Sequence, residues 1–248
     1  MEWNCPRASA SNQVKQLLLN SKPGAVIEIV FVFGAAILVI LFGLPFAGDS
    51  LFARQMVLVV ANIAMLLLVW LGLHLRGQSA DYLGLSFTFR GWKAVALGFA
   101  KSFAVLLVGL AGFMLGSIVM ANITGIPEQA DISGYNYLQG NLPMLLISLA
   151  GIYVVSSFGE EVIYRGFLIN RVEALLGGSR KAVWAAVVIS SVIFGLAHLG
   201  WGIVGVVQTA FMGLAFAISF ILLRRKLWPL VAAHAYMDTA LIVPLYFS

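Results

Sequence analysis

The chain has 248 residues, 61% of them hydrophobic and only 10% charged, with a mean hydropathy of +0.99. Soluble domains carry about a quarter charged residues and roughly half apolar ones, so the composition excludes a water-soluble fold; disorder needs the opposite balance. The net charge of +5 requires no nucleic acid, because membrane proteins gather Lys and Arg on their cytoplasmic side.

Seven apolar runs follow in chain order, at 25–44, 55–75, 102–121, about 142–170, 182–201, 205–223 and 228–247. Each has about the 20 residues needed to cross a hydrocarbon core of roughly 30 Å. The first follows 24 mostly polar residues without a small-residue cleavage pattern, so it reads as an uncleaved helix. No linker, low-complexity stretch or repeat divides the sequence. The expected fold is all-α: a polytopic transmembrane bundle of about seven helices (seven or eight), forming a single integral-membrane domain over 1–248. The single cysteine, Cys5, excludes an intramolecular disulfide and a Cys-cluster metal site.

With the N-terminus in the cytoplasm, cytoplasmic segments collect Arg7, Lys15 and Lys22, then Arg76, Arg90, Lys93 and Lys101. Adding Arg171, Arg180, Lys181, Arg224, Arg225 and Lys226 brings the total to 13 of the 15 Lys and Arg. Arg54 falls on the opposite side, and Arg165 lies inside a run. This bias predicts an N-in, C-out multi-pass protein, and its small loops suit a bacterial inner membrane. Loop 122–141 has no Lys or Arg; its Asn122-Ile123-Thr124 matches a glycosylation acceptor, a triplet frequent by chance.

Charged side chains near a helix centre cost roughly 2.5–3.5 kcal/mol each on insertion scales, so those that remain need a reason. Glu28 lies near the cytoplasmic end of the first run and can snorkel to water, and His74, close to Arg76, reads as interfacial. The rest concentrate in three late runs: Glu160, Glu161 and Arg165; His198; His234 and Asp238. Glu161 and Arg165 are four apart and share a helix face, so they can pair. Glu160, about 100° further round, is left without that partner. Phe194 precedes His198 by one turn and can pack on its imidazole. Asp238 follows His234 by one turn and can orient or charge-balance it, which fixes the ring nitrogen facing a reactant.

At 1.5 Å per residue, straight helices bring Glu160, His198, His234 and Asp238 within about 6 Å of one another in depth, near mid-membrane. Gly195, Gly200, Gly202, Gly205 and Gly213 read as close-packing positions rather than phosphate binders. The polar cluster suits a catalytic site, a proton relay in an ion-coupled membrane transporter, or a polar core that only holds helices together. Against transport, the sequence has no inverted repeat and no paired broken helices.

The three motifs in this order, Glu160-Glu161-x-x-x-Arg165, Phe194-x-x-x-His198 and His234-x-x-x-Asp238, resemble those of the CAAX protease and bacteriocin-processing (Abi) family. Its best-known members are the type II CAAX prenyl endopeptidases. The resemblance covers about residues 140–245, which it marks as the catalytic core helices. It implies an intramembrane endopeptidase acting on a membrane-anchored or prenylated-like protein or peptide at the lipid bilayer. It further implies that Glu160 and His198 activate water, while His234 and Asp238 match positions that steady the oxyanion. The family often has Asn where this chain has Asp238. An ionised Asp repels an oxyanion, so Asp238 must be protonated, orient His234, or ligate a metal.

Peptide hydrolysis needs a base, a positioned water, oxyanion stabilisation and a proton for the leaving amine. Within the resemblance, Glu160 is expected as the base and His198 as a holder of the same water. His234 then donates to the oxyanion, with Glu161, Arg165 and Phe194 in support. The sequence names no cofactor, yet Glu160, His198 and His234 also make a ligand set compatible with a divalent metal such as zinc. A conical cavity open to the cytoplasm and sideways to lipid is expected, closed on the outer side by Ile242, Val243 and Leu245.

Overall fold

The computed structural model describes residues 19, 21–86, 91–126 and 133–247. Cys5, Arg7, Lys15, Arg90 and part of the 122–141 loop lie outside the described residues. Among the described residues seven long helices form: α1 Lys22–Ala47, α2 Leu51–Arg76, α3 Trp92–Thr124, α4 Leu142–Leu175, α5 Arg180–Leu196, α6 Gly202–Leu222 and α7 Trp228–Phe247. All but α5 are long and apolar enough to cross a membrane, which makes the chain an integral multi-pass membrane protein. Helices are what such an environment demands, since hydrocarbon offers no partner for an open backbone N–H or C=O.

Their starts are written locally. The side chains of Ser21, Ser50, Asn141 and Ser179 accept hydrogen bonds of 3.2–3.3 Å from Gly24, Ala53, Met144 and Ala182 N–H, capping α1, α2, α4 and α5. Outward faces are apolar, as at Phe31, Phe42 and Leu107. Helix α4 runs through the middle of the bundle, and every residue from Glu161 to Val172 is buried. That stretch is core, whereas the first half of α4 exposes Leu146, Ile147 and Val154. Helices α2, α5 and α7 pack around its central stretch, while α3 backs α6 and α7, and α1 lies against α2.

The fifth apolar run is not one span to residue 201. Helix α5 stops at Leu196, and a short 3-10 turn at Leu199–Trp201 leads into α6. Gly202 sits at φ 73°, a left-handed conformation that glycine adopts without steric cost. His198 therefore stands on a connection, not on a helix. Nor do all five glycines serve packing. A Cβ on Gly195 would lie 2.6 Å from the Val206 carbonyl oxygen, and one on Gly213 would lie 2.8 Å from Phe194 Cδ1. Gly200 and Gly202 meet nothing within 4 Å, because they belong to the turn.

Glu28 does not snorkel. Its carboxylate accepts from Arg76 Nε at 2.9 Å and from Arg171 Nε at 2.8 Å, and Arg171 also donates to Gln78 Oε1 at 2.8 Å. Arg76 donates further to the Leu19 carbonyl, and Arg171 lies 4.6 Å over the Tyr82 ring. Burial beneath this cluster pushes the Tyr82 phenol above its ordinary pKa. Two cations that the charge bias assigns to an aqueous flank are thus buried partners, tying α1, α2 and α4 together. Removing one member of a buried ion pair costs about 3–5 kcal/mol. Glu28→Ala, which deletes the carboxylate shared by both guanidinium groups, is expected to lower thermal stability in detergent on that scale. Parental melting of this variant would refute the clamp.

Candidate active site

The central stretch of α4, Tyr153–Ile169, is π-helical. Such geometry is rare and recurs at functional sites. It carries Ser156, Ser157, Glu160, Glu161 and Arg165 on one continuous piece of backbone.

Glu161 is fully buried, and one of its oxygens serves two partners. Oε1 accepts from Arg165 Nη1 at 3.0 Å and stands 2.9 Å from His234 Nδ1. The Arg165 guanidinium also reaches the Gly213 carbonyl at 3.4 Å and lies 4.2 Å over the Phe194 ring and 5.4 Å from that of Phe216. A carboxylate paired with Arg can only accept, so Nδ1 of His234 carries the hydrogen it donates to Glu161. The opposite nitrogen then faces three groups. His234 Nε2 lies 3.4 Å from Ser156 Oγ, and 3.9 Å from both Glu160 Oε2 and Asp238 Oδ1.

The orienting role expected of Asp238 therefore falls to Glu161. At 3.9 Å, Asp238 is too far to hydrogen-bond His234. Its other oxygen instead accepts from the buried Ser157 hydroxyl at 2.6 Å. The physical reason is directional: Nδ1 points toward α4, where a buried carboxylate already waits, and Ser157 is the nearer donor for Asp238.

Glu160 is half-buried. Its Oε2 is screened from solvent and has no hydrogen-bond partner among the described residues. Its nearest charged or ionisable neighbour in an ion-pair contact is His234, at 3.9 Å. On the turn after α5, His198 Nδ1 lies 2.8 Å from the Phe194 carbonyl. A carbonyl only accepts, so Nδ1 is the donor and Nε2 keeps its lone pair. The ring packs edge-on against Phe194 at 4.8 Å and Trp201 at 4.9 Å.

The structure thus brings Glu160, Glu161, Arg165, His234 and Asp238 within 4 Å links of one another. His198 connects to this group through Phe194, whose ring stacks on the imidazole and lies beneath the Arg165 guanidinium. The candidate metal ligands Glu160, His198 and His234 do not gather as a ligand set: among the described residues, no three His, Cys, Asp or Glu side chains are placed to hold a metal ion. Sequence reasoning passed over Ser156 and Ser157, and also the bond between the Tyr153 and Thr239 hydroxyls at 2.8 Å. The available signal was two adjacent hydroxyls in an apolar run, one turn before the two glutamates.

Fold and site define a polytopic helical membrane protein whose core helix sets two carboxylates against two imidazoles. Residues 142–240, spanning α4 to most of α7 and all three motifs, match the family described as type II CAAX prenyl endopeptidase Rce1-like. The match covers less than half of the 248-residue chain, and over that segment the protein is similar to this family of endopeptidases. No curated protein and no solved structure matched the chain. The match lends no support to the transporter alternative.

Glu161→Gln would leave Arg165 in a buried site without its counter-charge, a change costing about 3–5 kcal/mol. Both the melting temperature in detergent and peptide cleavage are expected to fall. An unaltered melting curve would show that Glu161 is not the group on which the site is built.

Proposed function

We propose that the protein hydrolyses a peptide bond of a membrane-anchored protein or peptide with a water activated by Glu160 and His198. The observation that carries this is a pair of acceptors with no protein donor among the described residues: the buried Glu160 Oε2, and the His198 Nε2 freed when Nδ1 donates to Phe194. A water has two hydrogens to give. Glu160 takes one proton as the water oxygen attacks the carbonyl carbon, then returns it to the leaving amine. His198 accepts the other hydrogen and aims the water.

His234 donates from Nε2 to the developing oxyanion. Its Nδ1–H is already given to Glu161, so the ring that does this is an imidazolium, balanced by the carboxylates around it. Arg165 fixes Glu161, and Phe194 links that pair to the His198 ring. A preset donor of this kind is worth about 10²–10³ in rate.

Glu160→Gln keeps the shape and removes the base. Cleavage of a tethered peptide is expected to fall about 10²–10⁴-fold, the usual range for a general acid–base, with unchanged melting. Full activity would sink the assignment. Because no ligand set converges, cleavage is expected to persist in excess chelator; loss that zinc restores would overturn the water-only mechanism.

The substrate class is membrane-anchored, prenylated-like chains included. Leu199, Trp201 and Ile203 beside His198 are each more than 60% exposed, which supports approach from the lipid side. The charge bias supports a cytoplasmic N-terminus and access from the cytoplasm, the small loops suit a bacterial inner membrane, and the apolar outer end of α7, with Ile242, Val243 and Leu245, supports closure on the outer side. A single cysteine beside His234, in a Cys5→Ser background, is expected to react with a membrane-impermeant thiol reagent from the cytoplasmic face. Labelling from the outer face alone would reverse this topology.

A further inference from the structure

An acidic residue at position 238 creates a problem that an amide there does not. Asp238 stands one turn after His234 on α7, and the same spacing that lets it approach the ring lets it form an ion pair with it. Such a pair would take up the Nε2–H that the oxyanion needs, and would leave a carboxylate beside the developing negative charge. Among the described residues, the structure contains one restraint on this movement. Ser157 Oγ on α4 donates to Asp238 Oδ2 at 2.6 Å, within the range of charge-assisted O–H···O⁻ bonds. Ser157 is fully buried, so no water competes for that hydroxyl from its own side. With Oδ2 held, Oδ1 stops 3.9 Å from His234 Nε2, close enough to balance charge and too far to bond.

We infer that Ser157 is a positioning residue of the hydrolytic site: it tethers the Asp238 carboxylate away from His234, so that Nε2–H, which has only the neutral Ser156 hydroxyl at 3.4 Å, is not taken up by an ion pair before substrate arrives. The inference rests on the oxyanion role given to His234 above. It makes Ser157 the partner that allows an Asp at position 238. The α4–α7 contact does not depend on this bond alone, because Tyr153 and Thr239 join the same two helices at 2.8 Å. Removing the Ser157 hydroxyl should therefore disturb chemistry more than folding.

The test is a double-mutant cycle on the full chain in liposomes with a tethered peptide substrate, reading kcat, KM and melting temperature. Ser157→Ala is expected to lower kcat at least tenfold, with KM within about twofold and melting close to the parent. In an Asp238→Asn background the untethered group is neutral and forms no ion pair with His234. There Ser157→Ala is expected to cost less than about twofold. Equal losses in both backgrounds, or a kcat within twofold of the parent for Ser157→Ala alone, would overturn the inference. If Ser157→Ala does not fold, the isosteric pair Ser157→Thr and Ser157→Val decides: kcat at least tenfold lower for Val supports the tether, and equal values overturn it. Glu160→Gln, run alongside, separates the two levels. Cleavage lost there but intact in Ser157→Ala removes only the tether, whereas cleavage intact in Glu160→Gln removes the water assignment and leaves the tether to be judged by the cycle itself.

Discussion

A single buried oxygen, Oε1 of Glu161, lies between the Arg165 guanidinium and the His234 imidazole, and the arrangement of the site follows from it. In a low-dielectric interior a carboxylate is tolerable only when paired and hydrogen-bonded. Arg165 supplies the charge, and the rings of Phe194 and Phe216 cover the guanidinium. His234 supplies the second hydrogen bond, which turns its other nitrogen toward Glu160 and Asp238. Each glutamate of the doublet keeps one oxygen without a hydrogen-bond partner among the described residues, but only Glu161 is held in an ion pair with Arg165, which gives it the structural role. Adjacent residues of the same type differ in role because one points into the ion pair and the other beside it.

Much of this was legible in the sequence, for identifiable reasons. The number of long helices follows from apolar length against bilayer thickness, and the Glu161–Arg165 pair follows from four-residue spacing. Phe194 against His198 was readable in the same way, from one helical turn. The partner of His234 was not, because it comes from a different helix, and spacing within α7 pointed to Asp238 instead. Glu28 was misread for a related reason. Its position near a helix end suggested water, whereas Arg76 and Arg171 converge on it from α2 and α4. Local periodicity reports what one helix can do alone; cross-helix bonds depend on packing.

The central helix illustrates how packing alters such arithmetic. The face assignments assume about 3.6 residues per turn, but the stretch that carries Ser156 to Arg165 is π-helical. Ser156 and Ser157 thus address two different groups of α7, His234 and Asp238, from adjacent positions. Apolar burial around Glu161 to Val172 holds this unusual backbone in place, so the site's geometry is stabilised from outside the site.

Helix α5 has 17 residues, a rise of about 25 Å, whereas a hydrocarbon core is roughly 30 Å thick. The shortfall lies beside the turn that bears His198. A span that is too short is met by thinning of the lipid or by polar groups drawn inward. Either response brings headgroups and solvent down toward the imidazole at this one edge of the bundle. For a hydrolytic site of the kind proposed, the mismatch of a single helix would deliver, at one edge of the bundle, the reactant that oil excludes.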